Sequence, residues 1–124
     1  MSSHLILVSS DLMVGSRVAP AASTAGWSFA TVTGLERLTE VELEPVPERI
    51  LVVVQLQGTA AAGSAAVDAF KQRYPAARFV AFGPHVHTAL LQQAGDGSYD
   101  AVWTNGQLHR AIASGAFPSR IDLW

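Results

Sequence analysis

The chain contains no cysteine, which excludes disulfides, thiolate metal sites and cysteine nucleophiles and is compatible with a reducing compartment. It is also poor in charge. Only 15% of its 124 residues are Asp, Glu, Lys or Arg, the formal net charge is -2, and the basic residues are scattered without forming a run. Such a surface has no electrostatic footprint for a nucleic-acid backbone or an anionic membrane, so neither is expected as a partner. Long apolar runs are missing as well. The N-terminal run Leu5-Ile6-Leu7-Val8 has no basic segment before it and is far too short for a signal peptide or a membrane span, which points to a cytoplasmic protein. No internal repeat or low-complexity tract interrupts the chain. At this length one domain is expected, and a hydrophobic fraction of 49% can fill its core.

What is present is a series of short apolar runs bounded by small or turn-forming residues. Leu5–Val8, Trp27–Val32, Ile50–Leu56, Arg78–Phe82 and Asp100–Thr104 read as strands buried on both faces of a parallel sheet. The third contains the unbroken, β-branched Ile50-Leu51-Val52-Val53-Val54 and belongs at the sheet centre.

Helical segments lie between them. Asp11–Ala25 has Ser10 or Asp11 as N-cap and Gly26 as a left-handed stop, while Pro20 is expected to kink or split it. Gly34–Thr39 is at best a short helix, and Glu40–Glu48, with Pro45 and Pro47, reads as a surface connection. Ala65–Tyr74, His87–Ala94 and Gln107–Ala113 close at Pro75, Gly95 and Gly115. Phe117, Leu123 and Trp124 form an apolar set at the C-terminus that either folds back over the domain or completes a dimer contact. Five strands alternating with helices imply right-handed crossovers and an open, three-layer, doubly wound α/β sheet, whose sites sit at the carboxyl ends of the strands.

Those ends read Ser9-Ser10-Asp11, Val32-Thr33-Gly34, Gln55-Leu56-Gln57-Gly58, Gly83-Pro84-His85 and Thr104-Asn105-Gly106. With this pattern residues 4–115 resemble a response-regulator receiver domain, leaving 116–124 as a C-terminal tail. The resemblance implies a flavodoxin-like fold of five parallel strands in the order 2-1-3-4-5. In that family an acidic pair after the first strand holds Mg2+, an Asp ending the third accepts the phosphoryl group, a Thr or Ser ends the fourth, and a Lys ends the fifth. Here the corresponding places hold Ser9, Ser10 and Asp11, then Gln55, Gly83 and Asn105. A carboxamide does not attack phosphorus at useful rates, one carboxylate is a poor Mg2+ site, and neither hydroxyl nor ammonium remains to recognise a phosphoryl group. Neutral side chains also relieve the repulsion of an acidic pocket without its metal.

The expectation is therefore a pseudo-receiver. It is a stand-alone, non-enzymatic signalling domain without a cofactor, acting by protein-protein interaction with a partner or as a homodimer. The resemblance places the contact on the face formed by the last strand and its flanking helices, with Trp103, Gln107 and His109. The alternative is a flavodoxin-like domain that binds a small molecule or nucleotide through Ser10, Gln55, Gly83 and Asn105.

Other features have plainer readings. His85 and His87 share one side of an extended segment, but no carboxylate pair or cysteine accompanies them, and they read as loop residues rather than metal ligands. His4 and His109 are isolated and read as surface residues. Asp11 is explained by helix capping, and no Gly-x-Ser-x-Gly elbow supports Ser9 or Ser10 as a nucleophile.

Overall fold

A computed structural model describes residues 2–56, 64–83, 99–121 and 123. The expected helix over residues 87–94, together with His85 and His87, lies outside them. The elements are β1 (Ser3–Val8), α1 (Leu12–Thr24), β2 (Ser28–Val32), a 3-10 helix (Leu35–Glu40), β3 (Arg49–Gln55), α2 (Ser64–Arg73), β4 (Ala77–Gly83), β5 (Ala101–Thr104) and α3 (Asn105–Ala113). The strands form one sheet in the order β2-β1-β3-β4-β5, and every pairing is parallel.

The apolar runs of β1, β3 and β4 became strands because both faces of the sheet centre are covered; the expected two-sided burial is corrected for the edge strands β2 and β5, in which no residue is fully buried because each has a neighbour on one side only. Ile50 to Val54 of the central β3 are all fully buried, and successive residues feed opposite cores. On one side Leu5, Leu7, Leu51, Val53, Val80 and Phe82 meet Val18 and Ala22 of α1 and Leu108 of α3. On the other, Ile6, Val8, Ile50, Val52, Val54 and Phe79 meet Val67 and Phe70 of α2 and Leu35 and Leu38 of the 3-10 helix. The two-residue period of a strand accounts for this partition.

Local chemistry sets the ends of the elements. Asp11 accepts a hydrogen bond from the Met13 amide at 2.9 Å and caps α1, while Gly26, at φ 79°, turns the chain out of the helix into β2. The expected kink or split at Pro20 is corrected in one respect: α1 runs as a single helix through it. Proline removes one backbone donor, a penalty of about 3 kcal/mol in a helix interior, but Val18 and Ala22 anchor the helix to the core on either side. At the sheet edge Asp100 pins β5 to β4: its amide donates to the Phe79 carbonyl, its carboxylate accepts from the Phe79 amide, both at 2.8 Å, and it pairs with Lys71 at 3.1 Å.

The C-terminal segment folds back over the domain. Phe117 is 3% exposed and lies edge-on to Trp103 with ring centroids 6.5 Å apart. Ile121 is buried in the same core, and Ser119 Oγ accepts from Trp27 Nε1 at 2.8 Å.

Candidate functional site at the carboxyl edge of the sheet

The sheet brings the first and third strand ends together because β1 and β3 are hydrogen-bonded neighbours, with Val8 opposite Val54. Ser9, one step beyond β1, is buried, whereas Ser10 is exposed. The pleat thus selects Ser9 as the residue that faces Gln55, a choice the sequence left open by one position. Ser9 Oγ donates to Gln55 Oε1 and accepts from the Asp11 amide at 2.9 Å. Asp11 spends Oδ1 on the Met13 amide. The group is a chain of hydrogen bonds in which the hydroxyl bridges strand end and helix start.

A cavity of about 180 Å³ opens beside it, lined by Asp11, Met13, Val14, Arg17, Gln55, Phe82, Asn105 and His109. Of the six pocket residues expected from sequence, Asp11, Gln55 and Asn105 line this cavity and Ser9 is tied to it through Gln55. Ser10 and Gly83 are not among its lining residues; Gly83 ends β4 opposite Thr104. Asn105 Oδ1 is buried without a hydrogen-bond partner. The donor set does not fit a Mg2+ ion: Asp11 supplies the single carboxylate of the lining and is engaged as a cap, and the Gln55 oxygen is engaged by Ser9. Among the described residues no three His, Cys, Asp or Glu side chains gather in a metal-binding group.

Met13, Val14, Arg17, Phe82 and His109 of the lining were not read as pocket groups, and two of them meet. Arg17 on α1 places Nη1 within 2.8 and 2.9 Å of the two ring nitrogens of His109 on α3, 92 positions away. His109 is exposed, as expected, but it stands in the groove between α1 and α3. Gln107 is exposed and closes a capping box: its side chain accepts from the Thr104 amide at 2.8 Å, and its own amide donates to Thr104 Oγ1 at 3.2 Å. Trp103 is half-buried and packs on Phe117.

No family model and no curated protein sequence matches the chain. Solved structures do. The CheY-like protein TadZ of Pseudomonas aeruginosa PAO1 superposes with a TM-score of 0.66 at 15% identity, over 92% of this chain and 99% of that one. The chain has the CheY-like receiver fold. The same fold relates it to the receiver domain of a sensor histidine kinase from the same bacterium, solved with a magnesium ion in its active site cleft, at a TM-score of 0.65 and 9% identity over 92% and 97% of the two chains. CpaE of Burkholderia thailandensis E264, named for pilus assembly, matches at 0.59 and 13% identity over 92% and 99%. The strand order 2-1-3-4-5 found here is the one the receiver resemblance implied.

Proposed function

We propose that this chain is a receiver-fold signalling domain that acts through protein-protein contact without aspartyl phosphorylation. The observation that carries the reading is Gln55 at the end of β3, its carboxamide held by the Ser9 hydroxyl where the receiver fold needs a free carboxylate. An amide nitrogen and a hydrogen-bonded amide oxygen offer no nucleophile for phosphorus, and Asp11, serving as a helix cap, is the single carboxylate beside it. A domain locked in one state communicates by its surface. In support, Gln107 and His109 on α3 are exposed, and Trp103, packed on Phe117, is half-buried. The name of CpaE lends the same direction, since it attaches this fold to an assembly process.

The small-molecule alternative is less well supported, because about 180 Å³ of cavity falls below the roughly 300 Å³ at which ligand pockets begin. The test is incubation with acetyl phosphate and Mg2+, followed by intact mass measurement and affinity capture from the native host. An unchanged mass and the same captured partner before and after treatment are expected. A phosphorylated species, or a partner captured only after treatment, overturns the reading.

A further inference from the structure

The groove between α1 and α3 and the acidic connection before β3 are complementary in chemistry. Two adjoining depressions, of about 450 and 360 Å³, share Arg17, Pro20 and Ile112 and extend from His109 to Phe117 and Arg120. Their floor is apolar, and neither lining contains an aspartate or glutamate. Both guanidiniums are exposed; Arg17 meets His109, and Arg120 donates to the Gly115 carbonyl at 3.0 Å, so among the described residues neither is neutralised by a carboxylate.

The acid is elsewhere. Glu36, Glu40, Glu42, Glu44 and Glu48 are half of the chain's 10 acidic residues, gathered in one short stretch. Arg73 donates to the Leu38, Thr39 and Val41 carbonyls and Tyr74 Oη accepts from the Leu43 amide, which fastens the start of this stretch to α2. Beyond that anchor Glu44 and Glu48 are exposed, and between them Val46 is 60% exposed, one of the most exposed large hydrophobic side chains described.

We infer that the Glu44–Glu48 segment of one copy docks in the α1–α3 groove of a second copy, Val46 on the apolar floor and the two carboxylates toward Arg17 and Arg120. This rests on the reading of the chain as a contact domain and names its partner as the chain itself. Donor segment and acceptor groove are different surfaces, so the contact is head-to-tail and propagates into a ring or an open chain of copies. Opposite charges on exposed side chains make the association sensitive to salt, since the Debye length shrinks from about 30 Å at 0.01 M to about 8 Å at physiological ionic strength.

Sedimentation velocity on the intact protein tests it. The wild type is expected to associate in a concentration-dependent way at low salt and to dissociate as salt rises. A groove variant, Arg17→Glu with Arg120→Glu, and a segment variant, Glu44→Lys with Glu48→Lys, should each raise the dissociation constant about tenfold or more, and an equimolar mixture of the two should associate again, because each variant's segment then meets a groove of opposite charge on the other. Circular dichroism establishes that each variant is folded. Independently, a synthetic peptide of residues 40–48 should dissolve the wild-type assembly, and its glutamine-substituted form should not. A monomeric wild type, or an assembly indifferent to both variants and to the peptide, overturns the inference and leaves the contact reading to a different partner. Phosphate uptake from acetyl phosphate overturns the contact reading whatever the assembly state.

Discussion

Replacing Phe117 by alanine should destabilise the whole domain, although the residue follows the last helix and belongs to no regular element. The side chain is 3% exposed and sits among Leu5, Leu51, Val53 and Phe82 in the core between the sheet and helices α1 and α3. Removing a buried phenyl ring and leaving a cavity costs about 3–5 kcal/mol, including the edge-on contact with Trp103, which by itself is worth about 0.5–1.5 kcal/mol. A domain of this size is stable by about 5–15 kcal/mol, so the loss is a large share of the total. The melting temperature should fall by roughly 10–20 °C. Urea unfolding followed by tryptophan fluorescence is the direct assay, because Trp103 touches the substituted ring and Trp27 bonds to Ser119 on the same segment. The midpoint should drop with the slope unchanged. A loss below about 1 kcal/mol would show that the segment is not part of the core, and would return Phe117 to the class of surface anchors.

Other outcomes follow from single sites. Gln55→Asp is expected to remain unphosphorylated by acetyl phosphate, because Asp11 stays the one other carboxylate of the lining and no lysine is among the lining residues; intact mass reads this, and uptake of phosphate would mean that one residue alone had closed the site. The same variant should lose about 1 kcal/mol of stability as the Ser9 hydroxyl loses its present acceptor. Tyr99→Phe should stabilise by about 1 kcal/mol, since the buried phenol has no hydrogen-bond partner and burial pushes its pKa up to about 12; a destabilised variant in a thermal melt would contradict the missing partner. Burial holds His4 below its ordinary value of 6.5, so the unfolded chain takes up the proton first: stability is full above 6.5 and declines as pH falls through 6.5 toward the lower folded-state value. His4→Gln should flatten that part of the stability profile, and an unchanged acid slope would remove His4 as its source.

The centre of the sheet was legible in the sequence because β1, β3 and β4 are buried on both faces: a run such as Ile50 to Val54 has no amphipathic alternative at that length. The Asp11 cap and the Gly26 stop were legible for a similar reason, each being dictated by the residue's own chemistry and its immediate neighbours. Pro20 did not split α1 because local propensity is weaker than the packing of Val18 and Ala22 beside it. The candidate site divided along the same line. That a carboxamide, and not a carboxylate, ends β3 is a property of the sequence. Which serine meets it was decided by the pleat, and the meeting of Arg17 with His109 across 92 positions was decided by the packing of α1 beside α3. The fate of Phe117 was likewise a tertiary matter, because an isolated aromatic residue carries no period from which its burial could be read, and only the cleft left between the sheet and its two helices gives it a place.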